Sequence, residues 1–132
     1  SKRRCAMSGV RYVVDTNIAL YLLRGNETVI ELLNEKGLHL SVITRMELLS
    51  FPGMVRSELP SIHAFLDAWP VEDLHSRIEE EAIRLRSRYR LKLPDSIIAA
   101  TASHVGIPLV TADQAMLRLD DEIEIVRYEP RA

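Results

Sequence analysis

Four carboxylates stand where apolar runs end in this chain of 132 residues: Asp15 follows Val13-Val14, Glu47 follows Ser41-Val42-Ile43-Thr44, Asp95 follows Pro94, and Asp113 follows Leu109-Val110-Thr111. Brought together, they would repel one another. Two unit charges about 4 Å apart cost roughly 4 kcal/mol at an effective dielectric of about 20. A cluster of three or four must therefore take up protons or hold a cation. All-oxygen ligands select hard ions such as Mg²⁺ or Mn²⁺. An ion held this way grips phosphate oxygens and lowers the pKa of a bound water, which is the chemistry of phosphodiester hydrolysis.

Each acid also has an ordinary structural role open to it. Asp15 and Asp113, placed after a strand and before a helix, can be N-caps. Thr44-Arg45-Met46-Glu47 fits a capping box with Glu47 at the third helical position. Asp95, in the first turn after Pro94, complements the helix dipole. The conjunction carries more weight than any single residue, because three strand-to-helix junctions and one helix start would deliver all four to one edge of a sheet.

The elements that must position them follow from apolar spacing. Arg11 to Val14 is short and β-branched, a buried strand with Asp15 at its C-terminal end. Thr16 can cap a helix carrying Ala19, Leu20, Leu22 and Leu23, and a second helix runs from Thr28 to Glu35. A strand over Leu38 to Ile43 leads into a short helix, Thr44 to Phe51, stopped by Pro52-Gly53. Helices follow at Ser61 to Trp69 and Leu74 to Tyr89, the latter with Ile78, Ala82, Leu85 and Tyr89 as its apolar stripe. The helix Asp95 to Val105 is rich in small residues, Ala99, Ala100, Ala102 and Ser103, so it can press against the sheet. Leu109 to Thr111, a helix over Gln114 to Leu119 and a strand over Ile123 to Val126 complete the pattern. Strands alternating with helices predict an α/β domain: a central parallel sheet of about four to five strands with helices on both faces, function gathering at the C-terminal strand ends.

A hydrophobic content of 47% in 132 residues supports one core, hence one domain over residues 10 to 132 with residues 1 to 9 as a flexible leader. The net charge of −2 gives no overall attraction to nucleic acid, so any such binding needs a local patch. Cys5, the single cysteine, rules out an intrachain disulfide and a thiolate zinc site. His39, His63, His75 and His104 show no ligand-like spacing and are expected to be solvated or capping. No run of about 20 apolar residues is present to span a membrane, and a cytoplasmic protein is expected.

The four segments Tyr12-Val13-Val14-Asp15-Thr16-Asn17, Leu40-Ser41-Val42-Ile43-Thr44-Arg45-Met46-Glu47-Leu48, Leu93-Pro94-Asp95-Ser96-Ile97-Ile98-Ala99-Ala100 and Leu109-Val110-Thr111-Ala112-Asp113, in this order, resemble the PIN-domain ribonucleases, and among them the VapC-type toxins of toxin–antitoxin pairs. The resemblance spans residues 11 to 127. It implies a PIN fold in which Asp15, Glu47, Asp95 and Asp113 hold Mg²⁺ or Mn²⁺ and activate water for RNA cleavage, with Asn17 and Thr111 at the substrate rim. Asp15 and Asp95 would ligate the ion directly, and Glu47 and Asp113 would bind through water or orient the attacking hydroxide. Many members carry Asp-Phe where this chain has Met116-Leu117, so the fourth acidic position rests on Asp113. The resemblance further implies a homodimer and a VapB-type antitoxin, docking near Tyr21, Leu22, Leu48 and Phe51 and placing a basic side chain among the acids.

Arg84, Arg86, Arg88, Arg90 and Lys92 run up to Pro94-Asp95. They suit either a track for RNA phosphates or a solvated helix face paired with Glu79, Glu80 and Glu81. Two other functions remain open. One is a PIN fold that binds RNA or protein without cutting. The other is an Mg²⁺-dependent phosphotransfer domain, against which stand Asn17, where a phosphatase has a second Asp, and Thr111, where a receiver domain has a lysine.

Overall fold

The computed structural model describes residues 9–130. The expected leader therefore lies, apart from Gly9, outside the described residues. Within them the chain runs β1 (Arg11–Val14), α1 (Thr16–Leu23), α2 (Glu27–Leu33), β2 (Gly37–Ser41), α3 (Val42–Leu49), α4 (Leu59–Ala68), β3 (Val71–Glu72), α5 (Ser76–Tyr89), α6 (Leu93–Val105), β4 (Leu109–Thr111), α7 (Gln114–Leu117) and β5 (Ile125–Arg127), with 3₁₀ turns at Arg56–Glu58 and Arg118–Asp121. The five strands form one sheet in the order β3-β2-β1-β4-β5, every pairing parallel. This is the α/β sheet covered on both faces that the apolar spacing predicts.

Period-two alternation in the strands divides the core into two layers. Val13 and Leu109 face the layer built with α5, α6 and α7, where Ile78, Leu85, Ile98 and Met116 are buried. Val14 and Val110 face the opposite layer, with Ile18, Leu40, Leu48, Ile62 and Phe65 from α1, β2, α3 and α4. Burying one such side chain contributes about 1.5–3 kcal/mol, and the central strands gain it on both faces. No helix among the described residues is long and apolar enough to cross a membrane.

The sheet's connectivity decides where the site lies. From β1 the chain winds outward through β2 to β3. The α5–α6 pair then carries it back to β4 on the other side of β1. The crevice at the carboxyl ends of β1 and β4 is thus the point at which the winding reverses, the usual ligand position in open parallel sheets. The helix α6 can cross this region closely because most of its buried residues are small: Ser96, Ala99, Ala100, Thr101 and Ala102 are buried beside Ile97 and Ile98. Pro94 sits in its first turn, where a missing N–H costs nothing. Gly106 ends it at φ 75°, its amide bonding Ala102 O at 2.9 Å.

Two local departures from the sequence expectations bear on the site. The strand expected through Ile43 stops at Ser41, whose Oγ accepts from the Ile43 amide at 3.0 Å and starts α3 two residues earlier. The two-residue strand β3, paired with Leu40 and Ser41, has too few residues to show a period and was not anticipated. The close approach of α6 yields a test of the packing. Ala99→Leu should destabilise the fold by about 1–3 kcal/mol through overpacking, read as a lower urea midpoint; an unchanged midpoint would show that α6 is not pressed against the sheet.

Candidate active site

One cavity of about 340 Å³ opens at the winding reversal, and Asp15, Thr16, Asn17, Glu47, Asp95, Ile98 and Asp113 all line it. The four predicted carboxylates thus come from four elements to one space. Asp15 is the N-cap of α1, with Oδ1 accepting from the Ile18 amide at 2.9 Å. Asp113 likewise caps α7, its Oδ1 accepting from the Ala115 amide at 2.9 Å. Asp95 stands in the first turn of α6.

Glu47 is placed differently from its capping-box assignment. The start of α3 is capped by Ser41, so Glu47 lies in the body of the helix. Its Oε1 instead accepts from Thr16 Oγ1 at 2.5 Å, and Thr16 also lies 3.2 Å from Thr44 Oγ1. Helix capping therefore does not account for Glu47, whereas Asp15 and Asp113 combine a capping role with a place in the cavity wall.

Thr111, expected at the rim, is instead fully buried. Its hydroxyl donates to Asp15 Oδ2 and accepts from the Asp113 amide at 3.0 Å, linking the turns after β1 and β4. Asn17 is exposed and does line the opening. Met116 is buried in the core, so no carboxylate stands at that position. Thr16 was missed as a site residue; its place next to Asp15 in the strand-to-helix turn was the available signal.

The carboxylates sense one another. Burial raises the Asp15 pKa above its ordinary 3.8, against the hydrogen bonds from Thr111 and Ile18, and the charges of Asp113 and Glu47 raise it further. Asp95 is pushed from 3.8 up to about 6, first by burial and then by the charges of Asp113, Asp15 and Glu47, with Lys92 pulling weakly the other way. A set of oxygen donors in which Asp15 and Asp95 resist ionisation beside their neighbours' charges fits a hard divalent cation. Asp15 is buried, and Glu47, Asp95 and Asp113, each partly exposed, face the same space.

The basic segment divides. Arg84 is paired with Glu81 at 2.9 Å and Glu122 at 2.6 Å, and Arg88 with Glu122 at 3.3 Å. Of the three expected glutamates only Glu81 pairs with this segment, and Glu122, from beyond α7, supplies the other partner. Arg86 and Arg90 make no ion pair among the described residues and are exposed. A second group also escaped the sequence analysis: His39, His75 and His104 gather around Glu72. Only the Glu72-x-x-His75 spacing could have hinted at it, since His39 and His104 arrive from distant elements.

Residues 12–122 match the PIN domain family. No curated protein matches the chain. Among solved structures, a toxin–antitoxin complex from Klebsiella pneumoniae is similar at 28% identity, with a TM-score of 0.79 over 90% of this chain and 99% of that one. VapBC2 from Rickettsia felis, bound to a DNA fragment from its promoter, matches at 19% identity with a TM-score of 0.74, covering 91% and 100% of the two chains. DNA-bound VapBC from Salmonella typhimurium matches at 19% and 0.74, covering 89% and 98%. At that lower identity these last two carry the fold alone.

The coupling among the acids gives a measurable pH dependence. Asp95 binds its proton more tightly folded (about 6) than at its ordinary 3.8, so its contribution to stability is fully present below about 3.8 and lost as pH rises through about 6. In carboxyl-carbon NMR of the metal-free protein, Asp95 should titrate near 6. The midpoint should fall in Asp113→Asn, which keeps the cap but removes a charge. A midpoint unmoved by that substitution would mean that the two groups do not share a cavity.

Proposed function

The chain belongs to the PIN-domain family, and from that premise we propose that it is a metal-dependent endoribonuclease, the toxin of a VapBC-type toxin–antitoxin pair. The observation that carries this proposal is the convergence of Asp15, Glu47, Asp95 and Asp113 on one cavity, with the acidities of Asp15 and Asp95 weakened by burial and by their neighbours. Asp15 and Asp95 would ligate Mg²⁺ or Mn²⁺ directly, and Glu47 and Asp113 would bind it through water or orient the attacking hydroxide. When bound, the ion neutralises phosphate charge and makes water a better nucleophile.

The remaining work falls to the chain itself. Thr111 holds Asp15 and the Asp113 turn in fixed relation, and Thr16 holds Glu47. Rotamers fixed by such partners keep the donors in place before substrate arrives. Asn17 offers an amide at the cavity mouth. Arg86, Arg90 and Lys92 lead toward Asp95 and suit phosphate contacts. Hydrolysis by water makes no use of the RNA 2′-OH as nucleophile, so preference for RNA rests on strand shape and contacts.

For the antitoxin, support comes from the Klebsiella toxin–antitoxin relative. Of the docking residues expected from sequence, Leu48 is fully buried and cannot meet a partner, whereas Tyr21, Leu22 and Phe51 are partly exposed. A second cavity, lined by Leu49, Phe51, Met54, Val55 and Leu59, adjoins the acidic one and shares Ser50 and Phe51 with it. An antitoxin segment lying there would reach the acids with a basic side chain. A homodimer is part of the same proposal.

Incubating the purified protein with a mixed RNA pool and Mg²⁺ or Mn²⁺ should give cleavage abolished by a chelator. Asp15→Asn should lose more than the ~10- to 100-fold that follows removal of an outer-shell partner. RNA that is bound but never cut under either ion would support a non-cleaving PIN module instead. For the phosphate track, Arg86→Ala with Arg90→Ala should flatten the dependence of log binding constant on log salt by about 0.7 for each phosphate no longer neutralised. An unaltered slope would remove these arginines from the interface.

A further inference from the structure

Three of the four histidines meet one glutamate at the far end of α6. Glu72 closes the edge strand β3, His39 lies on neighbouring β2, His75 immediately precedes α5, and His104 occupies the last turn of α6. His39 Nε2 is 3.0 Å from Glu72 Oε1, and His75 Nε2 is 3.2 Å from Glu72 Oε2. The rings of His75 and His104 stand edge to face with centroids 4.8 Å apart. One ligand atom each from Glu72, His75 and His104 lies within 4.8 Å of the other two. Between Asp95 and His104 the helix rises by about 14 Å at ~1.5 Å per residue, and the group shares no residue with the acidic cavity.

We propose that Glu72, His75 and His104 form a second cation site, selective for a transition metal of the Zn²⁺ class. Ligands about 2.0–2.2 Å from a tetrahedral ion are about 3.3–3.6 Å from each other. Glu72 Oε2 and His75 Nε2, at 3.2 Å, already stand close to that separation. His104 is exposed on a terminal helical turn, so its side chain is free to swing the remaining distance. His39 bonds the other oxygen of Glu72 and fixes the carboxylate plane, the outer-shell role such sites need.

Imidazole donors separate this site from the all-oxygen cavity, since they suit Zn²⁺, Ni²⁺ or Cu²⁺ far better than Mg²⁺. On binding, the ion replaces the hydrogen bond between His75 and Glu72: His75 coordinates through Nε2 as a neutral imidazole and carries its ring proton on Nδ1. The exposed side at His104 leaves a fourth position for water. The ion would join β3, the start of α5 and the end of α6, three elements that meet only in the folded chain, so binding adds to stability.

The test is a Zn²⁺ titration of the purified protein, followed by calorimetry, thermal unfolding and imidazole nitrogen NMR. One equivalent should bind at this site, move the Nε2 resonances of His75 and His104 while leaving exposed His63 in place, and raise the Tm. His104→Ala should abolish the His75 shift, and His39→Ala should weaken binding about tenfold. Asp15→Asn should leave all of these responses intact. An equal Tm of wild type and His104→Ala in chelator verifies that the variant folds, and the wild-type NMR response stands independently of any variant. Zn²⁺ that leaves the His75 and His104 resonances unmoved, or binding that survives His104→Ala but vanishes in Asp15→Asn, would overturn the proposal.

Discussion

Like charge confined to one half-buried cavity is the constraint around which this molecule is arranged. Four carboxylates line a single space, and burial together with the neighbouring charges makes ionisation of Asp15 and Asp95 harder. Such a set persists only where the rest of the fold holds it against its own repulsion. Two threonine hydroxyls oppose it locally: Thr111 donates to Asp15 and Thr16 donates to Glu47. Helix starts oppose it as well, because the capping amides of Ile18 and Ala115 point partial positive charge at Asp15 and Asp113.

Topology supplies the larger share. The reversal of winding between β1 and β4 opens a crevice at their carboxyl ends, and the turns leaving those strands carry Asp15 and Asp113 into it. The small residues that α6 buries, Ser96, Ala99, Ala100 and Ala102, let its first turn, and Asp95 with it, approach from one layer, while α3 brings Glu47. The site is thus assembled from residues up to 98 positions apart, and each element owes its place to core packing rather than to the charges it bears.

Much of this was legible in the residues. Val13-Val14 and Leu109-Val110 announce strands buried on both faces, and the Ile78, Ala82, Leu85 and Tyr89 stripe is the buried face of α5. What escaped was decided by tertiary context. Val42-Ile43-Thr44 is β-branched and favours a strand, yet the Ser41 cap and burial of Thr44 and Leu48 make it helical, which also removed the capping-box role of Glu47. Thr111 gives no local sign that its hydroxyl will lie beneath Asp15. The meeting of His39, His75 and His104 at Glu72 depends on β3, a strand too short to register as a pattern.

The same brevity at the borders of the sheet limits how another chain can approach. The outer strands β3 and β5 present two and three residues of backbone. An extended peptide aligned there would gain few main-chain hydrogen bonds, and neither border templates fibrous self-association. Recognition of any macromolecule is thereby left to side chains on helices and turns, which can be substituted without disturbing the sheet.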